Sequence, residues 1–260
     1  GGIITIKSKH TELVLHDLTG FNGRCDAILF CLDHNFEPPN QNPEMSEFRR
    51  KLLGYPKTPP ETGDYDLVVV GGGMAGCCTA ISAARRGCRV ALIQNRPVLG
   101  GNNSSEVRVG LSGLIHQQPY PNLGALVDEI GPVGHWNAWE AKQEPDSPRS
   151  KHILDLIEKH PEKRQHNAGP ATNYEDQQKS AAIRAEKNID LYLNMHVNYV
   201  HMSGMQIESI VAQDIRSGQR HTFNAPLFAD CTGDGNLGFL AGADFNVGRE
   251  AKLETNELLA

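Results

Sequence analysis

Gly71, Gly73 and Gly76 stand in the spacing G-x-G-x-x-G inside DLVVVGGGMAG. Glycine has no Cβ, so it allows tight turns and close backbone approach. Gly71 suits the turn after a strand, Gly73 the approach of backbone to a pyrophosphate, and Gly76 the packing of a helix on that strand. The backbone N–H groups near Met74 and Ala75 would then point at phosphate oxygens from a helix N-terminus, aided by the helix dipole. The apolar run YDLVVV comes before the glycines and an Ala-rich stretch follows them, which is the context such a cradle requires.

The next residue of interest is Gln94, 23 positions after Gly71. Nucleotide-binding units usually carry Asp or Glu about 20 residues after the first glycine, where the carboxylate accepts both ribose hydroxyl protons. A glutamine offers one acceptor and one donor group there, without charge. Asn95 and Arg96 stand beside it. This position alone does not separate a nicotinamide dinucleotide from a flavin one.

A dense polar segment, GGNNSSEVRVGLSG, follows the cradle. Glu106 and Arg108 are candidates for contact with a substrate or cofactor, or form an internal ion pair. His116, His135, Trp136 and His166 are further candidates for proton transfer or substrate contact. The six cysteines, Cys25, Cys31, Cys77, Cys78, Cys88 and Cys231, form no CxxC pair and no iron–sulfur or zinc spacing. Most read as small hydrophobes, and no metal site is expected.

The elements that hold these residues read as an α/β chain. YDLVVV, a helix over 74–86 ended by Gly87, and RVALIQ make one βαβ unit. An insertion over about 102–172 lines a site or forms part of a cap. Residues 173–188 read as a helix. IDLYLNMHVNYVHM, IESIVAQDI and RHTFNA alternate like a three-stranded antiparallel meander. PLFADCTGDGNLGFLAGADF reads as a strand, a Gly-rich turn and a helix. Upstream, GIITIK, ELVLHDL and RCDAILFCL read as the last strands of a β-sandwich over residues 1–40. Residues 41–63 read as a linker with a helix over 45–53 that buries Phe48, Leu52 and Leu53. Residues 64–260 form the nucleotide-binding domain.

RPVLGG after the second strand and FADCTGDG after the meander are absent from simple nicotinamide folds. Through DLVVVGGGMAG, NRPVLGGN and ADCTGDGNLGFLAGADFNVGRE together, the chain resembles the FAD-dependent oxidoreductases with a glutathione-reductase-type Rossmann fold. Within them it is similar to the group that takes in the flavin-binding part of the heterodisulfide reductases. The resemblance covers about 64–257. It implies a Rossmann-like FAD-binding domain with an antiparallel β-meander, here preceded by the tail of a β-sandwich, and FAD as the cofactor. It places Gly71, Gly73 and Gly76 at the pyrophosphate, and Gln94 and Arg96 at the adenosine ribose. Gly100, Gly101 and Asn102 would pass the phosphates and the flavin side. Val197 would bond adenine through its backbone. In the turn Thr232, Gly233 and Asp234, the aspartate would meet the ribityl chain or the pyrophosphate. Two departures stand out: Gln94 replaces an acid, and the family's C-terminal Gly-rich segment lies beyond Ala260. A fragment of a longer polypeptide, whose missing C-terminal half would be a partner in the site, is the expectation.

Composition bounds the function. The chain has 260 residues and a formal charge of −6. That balance speaks against a nucleic-acid surface, and no apolar run nears the roughly 20 residues that span a bilayer. The leading expectation is oxidation or reduction of a small molecule, with a sugar or glycan-derived substrate suggested by the sandwich analogy. The alternatives are a flavin-binding tRNA-modification protein and a non-catalytic nucleotide-binding fragment. Cytoplasmic and periplasmic placement both fit.

Overall fold

A computed structural model describes residues 3–16, 28–111, 124–131, 148–159 and 167–248, with a few isolated positions between them. The chain divides into two compact units, Gly1–Tyr55 and Pro56–Ala260. The elements in chain order are α1 (Glu44–Leu52), β1 (Glu61–Asp64), β2 (Leu67–Val70), α2 (Met74–Ala84), β3 (Val90–Gln94), α3 (Ala125–Ile130), α4 (Pro148–Lys159), α5 (Asp176–Ala185), β4 (Ile189–Leu193), β5 (Met195–Ser203), β6 (Gln206–Asp214), β7 (Arg220–Asn224), β8 (Leu227–Asp230) and α6 (Asn236–Leu240).

In the first unit the described residues before α1 contain no strand. This corrects the reading of GIITIK and ELVLHDL as strands, and of the described part of RCDAILFCL. Alternation of apolar residues is not enough; a strand exists only where a neighbour accepts its hydrogen bonds, and Ile3, Leu13, Val14 and Leu32 are exposed instead. Helix α1 forms where it was expected. Acidic Glu44 and Glu47 lie in its first turn and Arg49, Arg50 and Lys51 in its last, as the helix dipole favours. Phe48 packs on Phe36, with ring centroids 5.6 Å apart. Leu52 and Leu53 are exposed, against expectation.

The second unit is built on two four-stranded sheets. One is wholly parallel, in the order β4-β3-β2-β8. Its central strand LVVV is buried on both faces because Val68 and Val70 face one way and Val69 the other. Val69, Leu92 and Val90 pack with Cys77, Ala80 and Ile81 of α2, Ile130 of α3 and Ile183 of α5. Val68, Val70 and Ile93 pack with Met195, Val197, Ile210, Phe223 and Leu237. Full burial of each such side chain contributes roughly 1.5–3 kcal/mol.

The second sheet is the meander, with a parallel strand added at its edge, in the order β1-β7-β6-β5. Its antiparallel pairs are β5 with β6 and β6 with β7. The segment 189–202, expected as one strand of the meander, is two strands in two sheets: β4 joins the parallel sheet and β5 opens the meander. The break falls at Asn194, which takes a left-handed φ of 59°. Asparagine tolerates that region better than branched residues do. Its N–H donates to Arg96 O at 3.2 Å, and its carbonyl accepts from Ile215 N at 2.8 Å.

Candidate nucleotide site

Four parallel strands end at the same edge, so the loops that follow them meet there. Such an edge is where open α/β sheets bind ligands. Gly71 N donates to Ile93 O and Cys231 N to Val70 O, each at 2.8 Å, which ties the starts of the loops after β2 and β8 to the ends of β3 and β2.

Each glycine of the cradle has its own reason. Gly71 has φ 103°, and a Cβ there would lie 2.3 Å from Cys231 O. A Cβ on Gly76 would lie 1.8 Å from Gly71 O, so α2 can approach its strand only through glycine. Gly73 differs. Its backbone is extended, with φ −68° and ψ −178°, and its Cβ would meet nothing closer than Gly101 Cα at 3.9 Å. A Cβ there would make only ordinary van der Waals contact, so no clash within the protein requires glycine. Gly73 is also the N-cap of α2, without a side-chain cap and without an acid in the first turn. The N–H groups of that turn, at Met74 and Ala75, have no acceptor within the helix, and N–H groups so placed suit an anion. Gly72, which the motif spacing passes over, is glycine for packing: its Cβ would meet Leu99 Cδ2 at 2.6 Å and Gln94 Cβ at 2.9 Å.

The loop after β3 closes over the first. Gly100 N donates to Gly72 O at 2.8 Å, and Gly73 and Gly100 form a parallel bridge. Gly100 has φ 107°, and a Cβ there would lie 2.2 Å from Asn103 O. Gly101 abuts Gly73: with φ 60°, a Cβ on it would lie 3.1 Å from Gly73 Cα. Beneath Gly100 lies Lys179, fully buried, its Nζ donating to Tyr174 O. Burial pulls its pKa below the usual lysine range, against the pull of the nearby Asp176 carboxylate. Asn102 is exposed. Ser104 Oγ donates to Gly101 O at 2.7 Å, and Asp176 accepts from Ser105 N at 3.1 Å, so the loop is anchored on both sides.

Gln94 is 4% exposed and its amide is engaged by backbone. Its Oε1 accepts from Gly72 N at 2.9 Å and its Nε2 donates to Val98 O at 3.1 Å. This corrects the expectation that its side chain serves the ribose: a side chain at a strand end can turn inward, and spacing alone does not reveal its direction. Arg96 is half-exposed and pairs with Glu106, 3.3 Å from Nη1 to Oε2. Glu106 thus pairs with a residue ten positions earlier in the same loop, and not with Arg108. Arg108 has φ 61°, a rare conformation for a residue with a side chain. Its carbonyl is held there by Tyr174 Oη at 2.6 Å and Ala168 N at 2.8 Å. His116, His135, Trp136 and His166 lie outside the described residues.

At the third loop, Asp230 accepts from Thr232 N at 3.0 Å, Thr232 Oγ1 at 2.7 Å and Gly238 N at 2.9 Å. Burial opposes its charge, but these donors outweigh it and hold the pKa below the ordinary range. Thr232 Oγ1 in turn accepts from Asn236 N at 2.9 Å. The turn Gly233–Gly235, with φ 88° and 68° at its glycines, presents Asp234 to solvent. Sequence reasoning chose Asp234 and missed Asp230, whose position two before Thr232 is an Asx-turn signal. Val197, in β5, is reached from this loop: its carbonyl accepts from Asn236 Nδ2 at 3.3 Å. The thiols near the cradle are held protonated, burial pushing Cys77 up to about 12. Among the described residues no cluster of His, Cys, Asp and Glu could hold a metal, and no helix is long and apolar enough to cross a membrane.

The model of the family described as FAD dependent oxidoreductase matches residues 66–260. The chain belongs to this family. FAD is its cofactor, and the uncapped helix end at Gly73 fits the pyrophosphate of such a dinucleotide. Among curated proteins, the tRNA uridine 5-carboxymethylaminomethyl modification enzyme MnmG of Clostridium botulinum is 30% identical over 112 residues, which is 37% of this chain and 18% of that protein. The mitochondrial glycerol-3-phosphate dehydrogenase of Rattus norvegicus is 29% identical over 82 residues, 32% of this chain and 10% of its own. The chain thus spans less than a fifth of the length of these relatives. Among solved structures, p-nitrophenol 4-monooxygenase PnpA from Pseudomonas putida superposes with a TM-score of 0.42 at 14% identity, covering 73% of this chain and 44% of that one.

Proposed function

We propose that this chain is the dinucleotide-holding part of an oxidoreductase that acts on a small molecule through FAD. The observation that carries the reading is Gly73, a glycine that no clash within the protein requires, at an uncapped helix end. Gly71, Gly73, Gly76 and the N–H groups of Met74 and Ala75 hold the pyrophosphate, with Gly100, Gly101 and Asn102 beside them along the same edge. Val197 lies toward the adenine, and Thr232, Gly233 and Asp234 toward the ribityl chain. FAD, when bound, supplies the electron transfer. This chain's residues bind it, orient it and keep water from its buried side.

Arg108 is the better candidate for substrate contact. Its backbone is pinned in a costly conformation, and such conformations persist where a side chain must be aimed. Glu106 is committed to Arg96. The sugar suggestion rested on the sandwich analogy, which the strandless residues 3–16 do not support. Denaturing the full-length protein and identifying the released cofactor tests the main reading: FAD is expected, and NAD without flavin would overturn it. The similarity to MnmG favours a second reading, tRNA modification. Salt-dependent binding of tRNA by the full-length protein would support it; the charge of −6 argues for no binding.

A further inference from the structure

We propose that Gln94 is a positioning residue that sets the spacing between the two loops of the cradle, and that it does not read the adenosine ribose. The proposal rests on the FAD reading above. Gln94 sits at the end of β3, between the loop of Gly71–Gly73 and the loop of Arg96–Gly101. Its amide bonds one loop with each end: Oε1 takes Gly72 N–H, and Nε2 gives a proton to Val98 O. Its Cβ and Leu99 Cδ2 fill the space beside Gly72 that a side chain would need. The same two loops meet again through Gly100 N and Gly72 O. A change at Gln94 therefore shifts Gly73 against Gly100 and Gly101, the touching backbones beside which the pyrophosphate would lie.

The residue must be an amide. A glutamate could accept from Gly72 N–H, but its second oxygen would face Val98 O with no proton between them. Two buried acceptors at hydrogen-bond distance repel, and the carboxyl is driven toward its neutral form. Once protonated, it can donate to Val98 O and restore the clamp. The acid usual at this position would thus weaken the cradle of this chain.

The test uses the full chain and the variants Gln94→Glu and Gln94→Met, with FAD as the probe. FAD dissociation is measured from flavin fluorescence between about pH 8 and pH 5.5, a range that spans a raised carboxyl pKa. Gln94→Glu should bind at least roughly tenfold more weakly than wild type at the upper pH and recover most of the loss at the lower, the size of loss that an unpaired buried polar group causes. Gln94→Met should be weak at every pH. Wild type measured in parallel accounts for Lys179 and the Arg96–Glu106 pair, and the Cys77 thiol stays protonated throughout. Hydrogen exchange without FAD gives a second readout: the Gly72 amide should remain protected in Gln94→Glu and lose protection in Gln94→Met. A Gln94→Glu variant that binds FAD as well as or better than wild type at every pH overturns the proposal. So does a Gly72 amide indifferent to both substitutions. Loss of exchange protection with no FAD bound by wild type would leave the clamp standing and sink the FAD reading instead.

Discussion

At the scale of single residues, the three glycines of one motif have different failure modes. Gly73→Val adds a side chain whose Cβ meets only Gly101 Cα, at 3.9 Å, so the fold should lose less stability than at Gly76 while FAD binding falls by at least about a hundredfold, the size of losing a few charge-assisted contacts. Gly76→Ala places a Cβ 1.8 Å from Gly71 O. It should destabilise the folded protein by about 1–3 kcal/mol, the range for overpacking, read as a lower denaturant midpoint with or without FAD. An equal effect of both on stability would contradict the distinct surroundings of the two glycines. Asp230 adds a pH dependence. Its pKa is lowered in the fold, so its contribution is present above the unfolded value near 4 and disappears as pH falls through the folded value. Asp230→Asn should therefore lose stability relative to wild type at neutral pH, and the gap should shrink in acid. Arg108→Ala tests substrate contact: a rise in KM with the FAD content unchanged is expected, and unchanged kinetics would remove Arg108 from the site.

At the scale of elements, the sequence was most informative where a local physical demand was strict. The glycines at 71 and 76 announce a turn and a close helix contact, and both occur. The continuous apolar LVVV announces a strand buried on two sides, which it is. The inward turn of Gln94 was not legible, because residue type and spacing do not encode which way a side chain points. Nor was the switch of sheets at Asn194. LYLNMHV alternates smoothly, and only the left-handed φ of one asparagine separates β4 from β5. Asn194→Gly should be nearly neutral, whereas Asn194→Val should cost about 1–2 kcal/mol, because a branched side chain resists that conformation. Urea unfolding of the two variants measures the difference. The upstream alternation in GIITIK is the converse case: the pattern is present, but no strand pairs with it among the described residues.

At the scale of the whole molecule, every described residue assigned to the cradle lies within Pro56–Ala260. A chain of residues 56–260 should bind FAD within about threefold of the full 260 residues, a difference of less than 1 kcal/mol. A larger loss would assign the first unit a part in the site.

The single residue at which β4 gives way to β5 has a mechanical meaning. Asn194 is a swivel between two sheets, and its N–H is moored to Arg96 O on the loop that closes the cradle. A dinucleotide gripping the cradle at one end and reaching Val197 at the other would lie across that swivel and lock it. The rigidity of the meander would then report occupancy of the cradle beside the other sheet, so that cofactor loading stiffens strands beyond the one residue it contacts.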